Sequence, residues 1–224
     1  MMILKLLRRA YLYFFDRVII YPLLRTVAVK FDLHFMNLEG LRILEVGCGQ
    51  GGGIDAILRL HPLVGEVRGI DPIVRQRKDG LMIEGDAQSI PFSDSSFDII
   101  INVESSHLYS NMQLFLQQCY RVLTFGGYLC WVDLRYNGDE KKLWQMAKEL
   151  HFEEKDVKDI TECVLRGIDS TSKRYDQMLN KAPWWIQLFR QSIRETYCAP
   201  GTTSYNRLRR KEKRYWAVTW KKKL

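Results

Sequence analysis

Residues 42–53 read Arg-Ile-Leu-Glu-Val-Gly-Cys-Gly-Gln-Gly-Gly-Gly, an apolar run followed by five glycines within seven positions. The run from Arg42 to Val46 is apolar enough to predict a buried strand, and residues 54–60 have the pattern of a helix start. This order of strand, glycine turn and helix is typical of sites that bind adenosine-containing cofactors at the carboxyl edge of a parallel sheet. A glycine pair alone would equally fit a tight turn, in which the backbone adopts positive φ.

The residues around the turn indicate the charge of the ligand. Glu45 directly precedes the glycines, and its negative charge would repel a diphosphate. The turn also lacks the Gly-Lys-Ser/Thr ending of a phosphate-binding P-loop. The sequence therefore favours a cationic ligand at this turn.

Composition limits the class of protein. A chain of 224 residues, 46% hydrophobic and 27% charged, is typical of one soluble globular domain. Its five cysteines lack metal-ligand spacing, which favours a reducing compartment and predicts neither disulfides nor a metal site. The net charge of +8 could attract nucleic acid or an anionic membrane. Much of that charge lies in residues 207–214 and 221–223, a pattern that favours a solvated basic tail.

Residues 1–37 are predicted to be a hydrophobic, basic helical segment in front of a domain that spans 38–224. On a helix, Lys5, Arg8 and Arg9 lie on one side, and bulky apolar residues occupy the other faces. No apolar run approaches the roughly 20 residues that span a bilayer. The alternatives are an interfacial membrane helix, a lid over an apolar substrate, a helix packed on the sheet, or a mitochondrial presequence.

The rest of the chain alternates strand and helix patterns. Strands are predicted at 66–71, from 81, and at 97–103, 125–133, 152–160 and 215–220, and helices at 111–123 and 141–150. Such alternation predicts a parallel sheet with helices on both faces. Residues 161–198 are predicted to form helices broken at Gly167, Ser170 and Pro183. This block, which includes Trp184 and Trp185, is either a cap on the active-site edge or a layer that completes the core.

The second predicted strand ends in Asp71, about 20 residues beyond the glycine turn, where an acidic side chain can accept both ribose hydroxyls. The alternative for such an aspartate is a helix cap or a turn residue.

Taken together, several motifs resemble those of the class I S-adenosylmethionine-dependent methyltransferases over roughly residues 38–160. The motifs are Leu44-Glu45-Val46-Gly47-Cys48-Gly49, Gly69-Ile70-Asp71, Gly85-Asp86-Ala87, Phe97-Asp98-Ile99 and Leu123-Thr-Phe-Gly-Gly127. The resemblance implies an α/β, Rossmann-like doubly wound sheet of seven strands with an antiparallel last strand. It also implies a helical cap insertion at about 161–200 and S-adenosyl-L-methionine as the cofactor.

Three further stretches are similar to the phthiotriol/phenolphthiotriol dimycocerosate methyltransferases, which O-methylate a hydroxyl on a long lipid. These are Asn102-Val-Glu-Ser-Ser-His-Leu-Tyr109, Gly127-Tyr-Leu-Cys-Trp-Val-Asp-Leu-Arg135 and Val164-Leu-Arg-Gly-Ile168. A more distant similarity is to the sterol C-methyltransferases. The resemblance implies methyl transfer to a hydroxyl of a hydrophobic small molecule or lipid.

The resemblance also assigns roles by position. Binding of the cofactor would fall to Glu45, Gly47, Cys48 and Gly49 in the turn, Asp71 at the ribose, Asp86 and Ala87 at the adenine, and Val103 near its amino-acid end. His107 would lie near the transferred methyl group, where its ordinary pKa suits a general base for a hydroxyl. Glu104 would orient that imidazole or bind the cofactor ammonium. The alternative for His107 is a structural residue before a helix.

The sequence departs from this family at two places. The region before the first strand is shorter and more hydrophobic, which leaves the substrate open. The segment between Asp71 and Gly85 is also short, so that a helix beside the adenine is cut down and cofactor binding could be weaker.

Other functions stay open at this point. They are a C- or N-methyltransferase of a small molecule, or a cofactor-binding protein without transferase activity. A nucleic-acid substrate is disfavoured because the Asp/Asn-Pro-Pro-Tyr/Phe motif is missing. The expected location is the cytoplasm, with contact to the cytosolic face of an anionic membrane as a further expectation. The oligomeric state is not predicted.

Overall fold

A computed structural model describes residues 38–74 and 79–223 of the chain. The predicted segment 1–37, and residues 75–78 of the short stretch after Asp71, lie outside this part. The described strands are β1 (Arg42–Val46), β2 (Glu66–Asp71), β3 (Met82–Glu84), β4 (Phe97–Val103), β5 (Leu123–Tyr136), β6 (Phe152–Asp159) and β7 (Lys213–Lys222). The described helices are α1 (Gly52–Leu60), α2 (Met112–Val122), α3 (Glu140–Glu149), α4 (Thr161–Asn180), α5 (Trp184–Gln187), α6 (Arg190–Thr196) and α7 (Thr203–Arg209).

All seven strands form one sheet in the order β3-β2-β1-β4-β5-β7-β6. Strands β1 to β5 pair in parallel, and β7 runs antiparallel to both β5 and β6. This confirms the predicted doubly wound sheet with an antiparallel last strand, and it places β6 at the predicted edge. The chain order reverses between β1 and β4, and ligands of open α/β sheets bind at the carboxyl ends of the strands beside such a reversal.

Helices cover both faces of the sheet because the central strands are apolar on both sides. On one face, α2 and α3 pack on side chains such as Leu44, Ile100 and Trp131. On the other face, α1, the start of α4 and α7 pack on side chains such as Ile43 and Ile99. Each face therefore has its own hydrophobic core, and the carboxyl edge between them is left for a ligand.

The strand lengths differ from the sequence prediction. Strand β3 has only three residues, whereas β5 and β7 extend beyond the predicted ranges. These two pair without interruption from Tyr128 with Lys221 to Tyr136 with Lys213. The antiparallel hydrogen bonds continue into polar residues, where side-chain hydrophobicity no longer marks the strand.

The prediction of a solvated basic tail was wrong. Residues 207–214 belong mainly to α7 and the start of β7. Lys222 is buried, and its ammonium donates to the carbonyl of Leu123 at 2.8 Å and lies 4.6 Å from the ring of Tyr120. Burial lowers the pKa of this lysine. The end of the chain is therefore part of the folded sheet.

The predicted helix breaks at Gly167 and Ser170 were also wrong, because α4 runs through both residues. The hydroxyls of Ser170 and Thr171 each donate to the carbonyl of Gly167 at 2.8 Å, so these polar side chains bond within the helix. The break at Pro183 was predicted correctly, since α4 ends at Asn180 and Pro183 immediately precedes α5.

For residues 161–198, the alternative of a layer that completes the core applies to the start of the block, and a cap on the active-site edge stays a prediction. The start of α4 completes the core through Val164 and Leu165, which are buried. Trp184 and Trp185 of α5 are instead exposed. None of the helices in the described ranges is long and apolar enough to cross a bilayer.

Two glycine substitutions test this packing. A Cβ at Gly167 meets nothing within 4 Å, so Gly167→Ala is expected to raise the free energy of unfolding by about 0.5–1 kcal/mol through better helix propensity. A Cβ at Gly69 would lie 2.6 Å from Ile54 Cδ1 and 2.7 Å from Cys48 Sγ, so Gly69→Ala is expected to cost about 1–3 kcal/mol. Urea unfolding measures both, and a destabilised Gly167→Ala variant would contradict a continuous α4.

Candidate active site

A cleft of about 680 Å³ opens at the carboxyl edge of the sheet, where the order reverses between β1 and β4. Such a volume suits a small-molecule cofactor. Its walls come from the glycine turn, from the end of β2, from the loop after β3 and from the segment after β4. Among the lining residues are Gly47, Asp71, Asp86, Ala87, Ser105 and Tyr109.

The glycine turn is held by the residue predicted to bind ribose. Gly47, Gly49 and Gly51 have positive φ, which explains why glycine is needed there. Asp71 accepts from the amide of Gly49 at 3.0 Å and from the amide of Ile73 at 2.9 Å. A carboxylate offers about four acceptor sites, so Asp71 can keep these bonds and still accept from hydroxyl donors.

A polar network that the sequence analysis did not identify joins this turn to the segment after β4. Asn102, fully buried in β4, has its Nδ2 atom within 3.0 Å of the carbonyl of Val46 and the hydroxyls of Ser105 and Tyr109. A Cβ at Gly47 would lie 2.3 Å from Ser105 Oγ, so only glycine allows this approach. An asparagine within an otherwise apolar strand was the signal that could have indicated the network.

The predicted adenine residues form the far wall. Asp86 accepts from the amide of Gln88 at 2.8 Å, which shapes the loop after β3. Gln88 in turn accepts from the amide of Asn111 at 2.7 Å, which ties this loop to the start of α2. The side chain of Ala87 is buried in the core, so its backbone is the part nearest the cleft.

Three predicted cofactor residues point their side chains away from the cleft. Cys48 and Val103 are buried in the core on the face that α1 covers, and this leaves their backbone for a ligand. Glu45 is also buried, and its carboxylate lies against Gly53 in the first turn of α1. Their roles in cofactor binding stay predictions.

The charges of the cleft fit the predicted cofactor. Its lining includes the carboxylates of Asp71, Glu84 and Asp86, and the described residues that line it include no lysine or arginine. Such a wall would repel a diphosphate and suits the hydroxyls, amine and positive charges of S-adenosylmethionine.

Beside the cleft lies a pair formed by His107 and Asp133. His107 is in a 3₁₀ turn, Ser106–Leu108, that follows β4. Its Nδ1 lies 2.8 Å from the Oδ1 atom of Asp133, which is fully buried near the end of β5. Because an ionised carboxylate only accepts, Nδ1 carries the hydrogen and Nε2 is the nitrogen that can receive a proton.

Asp133 is held in place by several donors. The Ser106 hydroxyl donates to it at 2.6 Å, and the amides of His107 and Leu134 donate at 2.8 and 2.7 Å. Arg135 lies 3.4 Å away and also donates to the Ser106 hydroxyl at 2.7 Å. Sequence reasoning named neither Asp133 nor Arg135 as a site residue, although a position at the carboxyl end of β5 was the signal.

The contact between His107 and Asp133 shifts the pKa of each residue. Burial alone would lower the pKa of His107, but the hydrogen bond to Asp133 and its negative charge outweigh burial and raise that pKa. Burial likewise opposes ionisation of Asp133, yet the hydrogen bond and charge of His107 lower its pKa. Asp133 therefore stabilises the protonated imidazole, as a general base requires.

Glu104 is buried close to this pair. It has a positive φ of 54°, an uncommon backbone conformation for glutamate that occurs more often at functional sites. Burial first, and then the charge of Asp133, raise its pKa to about 8. Glu104 is therefore mostly protonated at neutral pH, and a role as an anion for the cofactor ammonium requires it to lose that proton.

Glu104, His107 and Asp133 have ligand atoms within 4.8 Å of one another, a spacing that could hold a metal ion. Two features argue against this function. Both oxygens of Asp133 already accept hydrogen bonds, and the guanidinium of Arg135 would repel a cation. We interpret the cluster as an acid–base centre.

Comparisons with known proteins show the family to which the chain belongs. The sequence profile of a family described as a methyltransferase domain matches residues 44–131. A fatty-acid O-methyltransferase of Mycolicibacterium smegmatis is 32% identical over 194 residues, which are 80% of this chain and 67% of the relative. The chain belongs to the S-adenosylmethionine-dependent methyltransferases.

A further sequence relative and a solved structure are similar to this chain. It is 36% identical over 155 residues to a phthiotriol/phenolphthiotriol dimycocerosates methyltransferase of Mycobacterium leprae, a match that covers 65% of this chain and 57% of the relative. The chain thus matches little more than half the length of that relative. A putative sarcosine dimethylglycine methyltransferase of Galdieria sulphuraria shares its fold, with a TM-score of 0.70 and 15% identity over 90% of this chain and 86% of that one.

Glu104 makes the stability of the methyltransferase depend on pH. Its pKa rises from 4.5 to about 8 on folding, so its contribution to stability is complete below about pH 4.5 and is lost as the pH rises towards 8. Glu104→Gln, which has no proton to lose, is therefore expected to gain stability relative to wild type between about pH 5 and pH 8. Thermal melts across this range measure the difference, with the exposed Glu149→Gln as control. Equal pH slopes in wild type and Glu104→Gln would contradict the assignment.

Proposed function

We propose that this chain transfers the methyl group of S-adenosylmethionine to a hydroxyl of a hydrophobic small molecule or lipid. The observation that carries the proposal is the His107–Asp133 pair beside an acidic cleft, because a hydroxyl acceptor requires a base. The names of the mycobacterial relatives support a lipid acceptor, since they act on dimycocerosates and on a fatty acid.

The cleft residues would hold the cofactor. When bound, S-adenosylmethionine supplies an electrophilic methyl group on a positively charged sulfur. Asp71 would accept from the ribose hydroxyls, and Asp86 would accept from the adenine amine. The backbone of Gly47 and Gly49 would bear on the amino-acid end, and Ser105 and Tyr109 adjoin Gly47 on the same side of the cleft. Together these residues would fix the position of the methyl group, and positioning alone can lower the barrier by several kcal/mol.

His107 would act on the acceptor. Its Nε2 would take the hydroxyl proton, so that the acceptor oxygen could attack the methyl group that a bound cofactor would supply, with the demethylated cofactor as the leaving group. Asp133 would keep Nδ1–H in place throughout and stabilise the imidazolium that forms. Glu104 is coupled to this pair, because its charge raises the pKa of His107 and the charge of His107 lowers the pKa of Glu104.

A lipid acceptor resides in a membrane, and for this reason we also propose that the enzyme works as a peripheral protein at a cytosolic membrane face. The net charge of +8 favours such contact with anionic lipid.

Loss of the base tests the proposed reaction. Bacterial lipid extract is incubated with the protein and S-adenosylmethionine that carries a deuterated methyl group, and labelled lipids are quantified by mass spectrometry. His107→Asn is expected to reduce labelling about 10²–10⁴-fold, while calorimetry shows nearly unchanged cofactor affinity. His151→Asn, a histidine outside the site, is the control and should label normally.

Alkaline treatment of the labelled product separates a hydroxyl acceptor from a carboxylate acceptor. A methyl ether survives alkali, as a hydroxyl acceptor requires, whereas a methyl ester is hydrolysed. An ester product, or full labelling by His107→Asn, would contradict a hydroxyl acceptor with His107 as its base.

A further inference from the structure

The helices between β6 and β7 carry an exposed apolar surface, here called the apolar tip. It consists of Met178, Trp184, Trp185, Leu188 and Phe189, whose exposed fractions are 53%, 76%, 55%, 72% and 61%. Four of the five lie within six consecutive positions around α5. Soluble proteins seldom expose several large apolar side chains side by side unless the surface binds something.

Three cations lie close to the apolar tip along the chain. Arg174 and Lys181 are exposed and share one face with Met178, since they lie four residues before and three residues after it. Arg190 follows Phe189 directly and donates to Asn180 at the end of α4.

Two nearby carboxylates offset part of this charge, and Arg190 pairs with one of them. Asp176 accepts from Arg194 and from the hydroxyl of Tyr197, and Arg190 lies 3.9 Å from it. Glu195 accepts from the amides of Thr203 and Ser204. The surroundings of the apolar tip therefore keep a net positive charge.

From this arrangement we infer that the apolar tip docks the protein onto the surface of an anionic lipid bilayer. The inference rests on the proposed lipid acceptor, and it specifies the surface that touches the membrane. Tryptophan favours the level of the lipid headgroups, where its ring is apolar and its N–H stays hydrated. Leu188 and Phe189 reach the acyl layer, and the surrounding cations pair with lipid phosphates.

Charge complementarity favours a bilayer over a protein partner. Exposed cations beside exposed apolar residues are typical of interfacial segments, and they make the attachment depend on salt.

Helix α4 connects the apolar tip to the acid–base centre. The first residue of α4, Thr161, accepts from the amide of Tyr215, and the hydroxyl of Tyr215 pairs with Glu104. The other end of α4 reaches the apolar tip at Met178. Docking at the tip thus sets the orientation of the catalytic edge relative to the membrane.

Vesicle binding of the full chain tests the inference. Phosphatidylcholine vesicles with and without phosphatidylglycerol are sedimented with wild type and with a variant that combines Trp184→Ser, Trp185→Ser, Leu188→Ser and Phe189→Ser. The variant is expected to bind anionic vesicles roughly tenfold more weakly or worse. The control combines Leu63→Ser and Phe125→Ser. Both residues are exposed to a similar extent but lie outside the helices between β6 and β7, so their loss should leave binding unchanged.

A second variant avoids dependence on one set of substitutions. Arg174→Glu with Lys181→Glu keeps the apolar residues and should remove most of the salt-dependent part of binding. Equal vesicle binding by wild type and both variants would overturn the inference and point to another part of the chain, such as residues 1–37. Wild-type protein that does not bind vesicles but self-associates through the apolar tip would also overturn the inference, and a second copy of this chain would then be the partner of the tip.

Failure of the docking surface can be told apart from failure of the proposed function. Turnover is measured in parallel on detergent-solubilised lipid, where no vesicle is needed. Protein that methylates solubilised lipid but does not bind vesicles contradicts only the docking inference. Protein that binds vesicles through the tip but labels no lipid contradicts only the proposed reaction.

Discussion

The hydrogen bonds to the buried carboxylate of Asp133 are the interaction on which the arrangement around His107 depends. A charge without solvent exposure is tolerated only when hydrogen bonds replace its water. Here the donors are the Ser106 hydroxyl, the amides of His107 and Leu134, and the His107 ring. Three of these four bonds come from the segment after β4, while Asp133 belongs to β5. The cost of burying this charge thus fixes the position of His107 relative to the neighbouring strand.

Hydrogen bonds to buried or partly buried polar groups also fix the residues that line the cofactor cleft. Asp71 holds the glycine turn through the amide of Gly49, and Asn102 joins that turn to Ser105. Since Ser105 directly precedes the 3₁₀ turn of His107, the residues proposed to hold the cofactor and those proposed to move a proton form one continuous hydrogen-bonded structure. A loss of Asp71 or Asn102 would therefore displace both groups of residues.

Local patterns predicted the part of the site that depends on local structure. The glycine turn follows directly from β1, and Asp71 follows from β2, so sequence spacing placed both at the cleft. Asp133 could not be paired with His107 in this way, because their contact spans 26 positions and depends on the register between β4 and β5. Lys222 was misjudged for the same reason, since its burial depends on the pairing of β7 with β6 and on its contact with Leu123 at the start of β5. The break wrongly predicted at Gly167 shows that one glycine does not end a helix held by its neighbours.

The proposed reaction depends most on cofactor binding at Asp71, and calorimetry with S-adenosylmethionine tests this binding directly. Wild type should bind with one-to-one stoichiometry. Asp71→Asn keeps the size of the side chain but loses charge-assisted hydrogen bonds, and affinity should fall about tenfold or more. Asp156→Asn on the edge strand β6 should bind like wild type. Wild type that does not bind S-adenosylmethionine, or Asp71→Asn that binds as tightly as wild type, would contradict the placement of the cofactor in this cleft.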